Sequence, residues 1–126
     1  MVLEEIKADL IPNWEFGDVC IKSFSFGDKL KLSEIASDVK SDGKDFVVVP
    51  KKDFSISEIN LFLLSAGLKW VKPKDSVGFV IRPEWDLKAK EKVVYDFDFD
   101  SAQFLLKEIL RINQVDKSLE DVKKKD

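Results

Sequence analysis

The chain has 126 residues, of which 44% are hydrophobic and 36% are charged. Its 21 Lys and Arg against 24 Asp and Glu give a net charge of −3, which argues against a general nucleic-acid-binding protein. It has no histidine and one cysteine, Cys20, which excludes Ser-His-Asp and Cys-His catalysis, multi-cysteine zinc sites and internal disulfides. We therefore expect one domain over residues 1–126, without a metal or other cofactor.

Neither the amino terminus nor the most apolar window resembles a targeting or membrane-spanning segment. Four charged residues interrupt the first thirteen: Glu4, Glu5, Lys7 and Asp9. The window over residues 59–68 is about half the length needed to cross a bilayer. The sequence therefore predicts a cytoplasmic protein with no membrane partner, in which Cys20 is a small buried apolar residue and not a reactive thiol.

The first elements are predicted from the spacing of apolar residues. Helical spacing over residues 3–10 predicts a short helix that ends before Pro12. Residues 19–26 combine an apolar triplet with polar and apolar alternation, which predicts a strand. In this strand Lys22 falls on an apolar face, so either that face is open to water at Lys22 or a bulge re-aims the side chain.

The next segment has two interpretations. Gly27 and Asp28 would close a hairpin, but four apolar residues also fit one face of a helix with Asp28 near its cap. These are Leu32, Ile35, Ala36 and Val39, and we prefer the helix. Residues 46–49 then form a β-branched run ended by Pro50, which predicts a buried strand.

A capped helix is predicted in the middle of the chain. Ser55 and Glu58 have the spacing of a capping box, and Gly67 stands where the helix would end. One side of this helix carries Ile59, Phe62, Leu63 and Ala66, whereas Leu61 and Leu64 project from nearly the opposite side. A helix that is apolar on both sides is either enclosed in the core or shared with another subunit.

In the second half, residues 69–71 and 77–81 predict short strands on either side of a turn around Pro73. Residues 93–100 alternate apolar or aromatic residues with acidic ones, which predicts a strand with an aromatic buried face and an acidic exposed face. A helix over about residues 101–113 follows, capped by Asp100 or Ser101, and then a short helix over residues 117–124. Together these elements predict an α+β domain with short, mainly antiparallel strands and three to five helices, residues 117–126 being a charged helical or frayed tail.

Four apolar residues are candidates for contact with a partner protein. Leu61 and Leu64 lie on the second side of the capped helix, and Phe104 stands alone on a polar helix face. Trp85, in the polar stretch 82–92, is either exposed or folded back over the core. Aromatic and large aliphatic side chains are the usual anchors of protein interfaces.

The acidic triplet Asp96, Asp98 and Asp100 copies the first three ligand positions of an EF-hand loop. However, Ser101 stands where that loop needs glycine and Lys107 where it needs glutamate, so we prefer an exposed strand face to a metal site. No glycine-rich phosphate loop is present, and no pair of carboxylates is singled out for acid-base chemistry. We therefore expect a protein that is not an enzyme.

The carboxyl-terminal run over residues 104–126 resembles the tail assembly chaperones of long-tailed bacteriophages. It has an apolar helix, a short turn at residues 112–115 and a charged amphipathic segment, and residues 19–32 look like the opening strand and helix of those proteins. Residues 77–99 have no counterpart in the family pattern. The resemblance implies a non-enzymatic, cytoplasmic assembly factor that binds the hydrophobic helical tape measure protein and self-associates as a homo-oligomer.

The alternative function is that of an acidic inhibitor that binds an enzyme in place of DNA. Asp96, Asp98 and Asp100, with other carboxylates, could imitate DNA phosphates, and the protein would then be an acidic inhibitor of a nuclease or other defence enzyme. Effective mimics of DNA are expected to be far more acidic than this chain, whose net charge is −3.

Overall fold

A computed structural model describes residues 3–7, 16–41, 46–73 and 79–113. In chain order its elements are β1 (Leu3–Lys7), β2 (Phe16–Lys22), α1 (Phe26–Ile35), β3 (Ala36–Ser41), β4 (Phe46–Pro50), α2 (Ile56–Gly67), β5 (Leu68–Pro73), α3 (Leu87–Val94) and α4 (Phe99–Ile112). Strands β1, β2 and β5 form one antiparallel sheet in the order β1-β2-β5, and β3 pairs with β4 in a second. This confirms the predicted α+β fold with short antiparallel strands.

The predicted helix over residues 3–10 is wrong, because residues 3–7 are strand β1. Leu3 pairs with Lys22 and Lys7 with Asp18 along β2. A helix of two turns gains little stability from its own hydrogen bonds. The ladder to β2 supplies the backbone partners that such a helix would lack.

Strand β2 begins and ends earlier than the predicted strand over residues 19–26, and helix α1 follows it. The strand ends at Lys22 because Ser25 is the N-cap of α1 and forms a capping box with Asp28. The helix is thereby confirmed and the alternative hairpin at Gly27 and Asp28 is wrong. The helix is also shorter than predicted, since Val39 lies in β3.

Lys22 is half-buried at the end of β2, and its ammonium lies 3.2 Å from Oδ2 of Asp28 in α1. Strand β2 pairs with β1 in regular register from Asp18 to Lys22. The pairing of β2 with β5 is irregular between Cys20 and Ile21, but the extra residue there is Lys69 of β5. Lys22 is therefore accommodated by its ion pair with Asp28 and not by a bulge in β2.

Strand β4 is confirmed, but the prediction that it is buried is wrong. Val47 is 58% exposed and Val49 is 42% exposed, whereas Val48 packs against the core. A two-stranded antiparallel sheet has one face on the core and one face in water, which explains this alternation.

The described elements share one hydrophobic core, and α2 lies at its centre. Helix α2 packs against β4, β5, α1, α3 and α4, and Ile59 and Leu63 have no exposed surface. Cys20 is buried at 6% exposure, as predicted, and burial raises the pKa of its thiol. The predicted strand over residues 77–81 is reduced, within the described part, to a bridge in which Ile81 exchanges two hydrogen bonds with Val71.

The predicted strand over residues 93–100 is wrong. Helix α3 extends to Val94, a turn follows, and Asp98 is the N-cap of α4. The cap of α4 is therefore Asp98, and neither Asp100 nor Ser101. The final helix predicted over residues 117–124 lies outside the described residues. Among the helices of the described ranges, none has the length and apolar character needed to cross a membrane.

Candidate protein-binding groove

Helix α2 is apolar on both sides. One side is buried in the core, and the other side lines a groove. Its cap is the predicted one: Oγ of Ser55 accepts a hydrogen bond from the backbone N–H of Glu58 at 3.1 Å. The predicted core stripe is confirmed, with Ile59, Phe62, Leu63 and Ala66 all buried. The second side faces α3 and α4, so here the enclosed alternative holds for most of the surface.

Leu61 and Leu64 therefore differ from the expectation that both are left uncovered. Leu64 is only 3% exposed, which contradicts the prediction, and Leu61 is half-buried. The reason is that α3 and α4, over residues 87–112, both pack on α2, although residues 93–100 of this segment were predicted to form a strand. Both leucines still line an open groove on this side of α2.

The groove has a volume of about 400 Å³ and lies between α2 and the segment from the end of α3 to α4. We call it the α2–α4 groove, and its apolar lining includes Leu61, Leu64, Val94, Tyr95, Phe97 and Phe99, with Ala102 and Leu106 from α4. A volume in this range, with a mostly apolar wall, is typical of sites that accept a ligand or a few side chains of a partner.

Aromatic residues from the turn divide between the core and the groove. Phe97 is buried and packs against Phe79, with ring centroids 5.5 Å apart. Tyr95 is 79% exposed and Phe99 is 75% exposed. A single strand would have placed all three on one face, so this division could not follow from the predicted strand. It leaves two large aromatic side chains at the mouth of the groove with most of their surface in water.

Acidic residues occur at and next to the groove. The exposed Glu58 lines it from α2. Asp96, Asp98 and Asp100 do not line it, but they are exposed and alternate along the chain with the lining residues Tyr95, Phe97 and Phe99, and we call these three aspartates the acidic rim. Oδ2 of Asp98 also accepts the backbone N–H of Ser101 at 3.0 Å, which fixes the start of α4. No Lys or Arg occurs between residues 95 and 101. Within the ranges that the structure describes, no three Asp, Glu, Cys or His side chains are grouped to hold a metal ion.

A polar atom at the groove lacks a hydrogen-bond partner. Asn60 lines the groove, and its Oδ1 is buried without a partner among the described residues. A buried acceptor left in this state costs about 1–3 kcal/mol. Asn60 is thus one of four polar residues in a mostly apolar wall, with Ser57, Glu58 and Gln103.

Phe104 and Trp85 do not join Leu61 and Leu64. Phe104 is half-buried and packs against the core from α4, and it does not line the groove. Trp85 is also half-buried against the core, and its backbone N–H donates to the carbonyl of Arg82 at 3.1 Å. For Trp85 the alternative of a side chain folded back over the core is the one found. The four predicted partner-binding residues are therefore not one surface.

The residues that sequence reasoning missed are Tyr95, Phe99 and Asn60. A signal for the two aromatic residues was present in the helix caps. Asp86 and Asp98 each precede apolar residues at helical spacing, and each accepts a backbone N–H three residues later. Reading them as N-caps would have begun α3 after Asp86 and α4 after Asp98, and would have excluded a strand over residues 93–100. Asn60 has no such signal, because its state depends on tertiary packing.

Lys90 is buried and lies near two other lysines, Lys22 and Lys69. Lys90 is 7% exposed, and its Nζ donates to the carbonyl of Leu68 at 2.7 Å. Burial, reinforced by the charges of Lys22 and Lys69 and opposed by Asp28, lowers the pKa of Lys90. A lowered pKa is typical of nucleophilic lysines, but this ammonium is engaged inside the fold and has little surface for a substrate.

The chain matches no known family, curated protein or solved structure in the comparisons made. The groove and its charges therefore carry the functional argument.

Proposed function

We propose that this protein is a non-enzymatic binding protein whose α2–α4 groove holds an apolar helical segment of a partner protein. The observation that carries the proposal is the pair of exposed aromatic residues, Tyr95 and Phe99, beside a groove floored by Leu61 and Leu64. Exposed apolar surface of this kind, rimmed by polar residues, marks interaction sites. Tyrosine and phenylalanine give such contacts large buried areas.

The rim defines the chemistry of the partner. Asp96, Asp98 and Asp100 produce a negative potential beside the groove, so the preferred segment is an amphipathic helix with lysine or arginine beside its apolar stripe. Helix-in-groove recognition places anchors at positions i, i+3, i+4 and i+7 of the bound helix. The acidic rim selects among such helices and accelerates their association.

The resemblance of residues 104–126 and 19–32 to phage tail assembly chaperones makes the proposal more specific. In that role the protein acts in the cytoplasm of the host cell and binds the hydrophobic helices of the tape measure protein before the tail tube forms. The high charged fraction, 36%, supports solubility of such a complex. The groove supplies the apolar contact that the role requires.

Peptide binding tests the groove. The probe is a labelled helical peptide of about 18 residues, with leucine on one face and lysine beside it, followed by fluorescence anisotropy. The double variant Y95S/F99S should weaken binding about tenfold or more, because hot-spot aromatic residues dominate interface energies. The control is Val47→Ser, which replaces another exposed apolar residue, on β4 and outside the groove. Equal affinity for the wild type and Y95S/F99S, with unchanged circular dichroism, would overturn the proposal.

Two further arms test the partner chemistry and the specific role. Replacing lysine by glutamate in the peptide should weaken binding, and added salt should reduce the difference between the two peptides. Co-expression with the tape measure protein encoded by the same genome should keep that protein soluble, and Y95S/F99S should abolish this effect. Salt-sensitive competition with DNA for a basic enzyme, unaffected by Y95S/F99S, would favour the acidic inhibitor instead.

A further inference from the structure

The buried ammonium of Lys90, at the carboxyl end of α2, uses only part of its hydrogen-bonding capacity. Lys90 is 7% exposed, and among the described residues its Nζ makes one hydrogen bond, to the carbonyl oxygen of Leu68. A lysine ammonium has three N–H donors, so two of them have no acceptor in the described part of the chain. No described carboxylate forms an ion pair with it either. A buried cation is normally paired and hydrogen-bonded, and this one is not paired.

Two further lysines converge on the same carbonyl group from the sheet. Lys69 directly follows Leu68 in β5 and is half-buried. On β2, Ile21 pairs with Leu68, and Lys22 directly follows Ile21. Successive residues of a strand lie about 3.3 Å apart, so the backbones of Lys22 and Lys69 both pass close to the point where Lys90 is bonded. We call these three residues, which come from β2, β5 and α3, the lysine cluster.

The lysine cluster has more positive charge than its surroundings neutralise. The carboxylate of Asp28 lies 3.2 Å from Nζ of Lys22. Lys69 has no ion pair with a described residue, and Glu5, on β1, is exposed, so water screens its charge. Three ammonium groups against one paired carboxylate leave an excess of two positive charges. Their repulsion adds to the desolvation that lowers the pKa of Lys90.

We propose that the lysine cluster is a binding site for a phosphoryl group, either free phosphate or the phosphate of a small ester. Such a group provides close to two negative charges and three strong acceptor oxygens. Lysine binds phosphate as a point charge. A carboxylate has one charge and two oxygens, so it matches the cluster less well. The small exposed surface of Lys90 is sufficient, because one oxygen atom can accept from both of its free N–H donors.

This site is separate from the α2–α4 groove, and the inference does not depend on the function proposed for the groove. Leu68 is the C-cap of α2, whereas the residues of α2 that line the groove extend only from Ser57 to Leu64. A phosphate ligand and a helical partner would therefore occupy opposite ends of α2.

Calorimetric titration with inorganic phosphate tests the site. The titration is made at about pH 9, where phosphate is a dianion, and at constant ionic strength, because salt weakens charge interactions. The wild type should show saturable binding. Lys69→Met and Lys90→Met should each weaken it about tenfold or more, because each removes a hydrogen bond to a charged group. The matched control is Lys88→Met, which replaces an exposed lysine on the same helix as Lys90 and should leave the affinity unchanged.

Proton uptake provides a second measurement. Bound phosphate should raise the pKa of Lys90 towards its ordinary value, so binding at about pH 9 should take up protons. The binding enthalpy should then differ between buffers of different ionisation enthalpy, and the difference should be smaller for Lys90→Met. Tighter binding of glycerol 3-phosphate than of inorganic phosphate would assign the site to a small phosphate ester, and the reverse order to free phosphate.

Four results would overturn the inference. They are the absence of saturable phosphate binding by the wild type, unchanged affinity in Lys69→Met, equal weakening in Lys88→Met, and acetate bound as tightly as phosphate. Circular dichroism checks that each variant is folded. If Lys90→Met did not fold, Lys69→Met with the Lys88→Met control would still decide.

Discussion

The side chain of Lys90 closes the carboxyl end of α2 from a different helix: its Nζ donates to the carbonyl oxygen of Leu68 at 2.7 Å. Leu68 is the C-cap of α2, where carbonyl groups lack helical partners and the macrodipole favours a cation. Lys90 belongs to α3, so this bond joins α3 to the end of α2. The ammonium is buried in order to make it.

The stability of the protein should depend on pH through Lys90. Its pKa is lowered in the folded state, so between that value and the ordinary 10.5 the unfolded chain binds more protons. The free energy of unfolding therefore gains a rising contribution with pH in this window, and below it the desolvation cost is present in full. Urea unfolding from pH 7 to 10.5 should show the wild type gaining stability relative to Lys90→Met. The difference in unfolding free energy between the wild type and Lys88→Met, which replaces an exposed lysine on the same helix, should not change with pH. If the difference for Lys90→Met were equally independent of pH, the assignment to Lys90 would be contradicted.

Asn113 joins the end of α4 to the chain between β2 and α1. Its Oδ1 accepts the backbone N–H of Phe24 at 2.7 Å and its Nδ2 donates to the carbonyl of Ile109 at 2.7 Å. Asn113→Ala leaves the Phe24 N–H without this acceptor in a half-buried position, and should reduce the unfolding free energy by about 1–3 kcal/mol. Hydrogen exchange should accelerate at the Phe24 amide. Unchanged protection there would show that the bond does not hold the segment.

Gly67 marks a close approach of α2 to α4. A Cβ built on Gly67 would lie 2.8 Å from Cδ1 and 2.9 Å from Cγ1 of Ile109, which is fully buried and has no space to withdraw. Gly67→Ala should therefore destabilise the protein by about 1–3 kcal/mol. A double-mutant cycle checks the cause: Ile109→Ala should cost less in the Gly67→Ala background than in the wild type. Additive effects would rule out the overlap as the cause.

Two fully buried serines should respond oppositely to replacement by alanine. Oγ of Ser65 donates to the carbonyl of Leu61 at 2.7 Å, whereas Oγ of Ser101 has no hydrogen-bond partner among the described residues. Ser65→Ala should cost about 0.5–1.5 kcal/mol. Ser101→Ala removes an unsatisfied hydroxyl and should leave the unfolding free energy equal or higher. Thermal unfolding of the two variants decides, and a large loss in Ser101→Ala would reveal a partner such as a bound water.

Elements with strong local signals could be predicted from the sequence. Helix α2 has its cap at Ser55 and its end at Gly67, and both are set by residues within the helix or beside it. Strand β4 is a β-branched run between turn residues. Its exposure could not be predicted, because the number of partner strands and the position of the core are not local properties.

The aromatic turn shows where local pattern misleads. The alternating apolar and acidic residues over 93–100 are compatible with a strand. The same residues are also compatible with the end of one helix and the N-cap of the next, which is the arrangement found. Tertiary packing decided between them: Phe97 enters the core while Tyr95 and Phe99 remain outside. This error also changed the candidate site, because Leu61 and Leu64 were found but the residues that complete their groove were assigned to a strand.

Two helices of this fold run into strands with no residue between them. Helix α1 ends at Ile35 and β3 begins at Ala36, and α2 ends at Gly67 and β5 begins at Leu68. Neither junction contains a connecting loop, so a tilt of α2 would pull on the β2–β5 ladder as well. The floor of the groove is consequently a stiff platform, and an incoming helix must adapt its own side chains to a shape that was set when the chain folded.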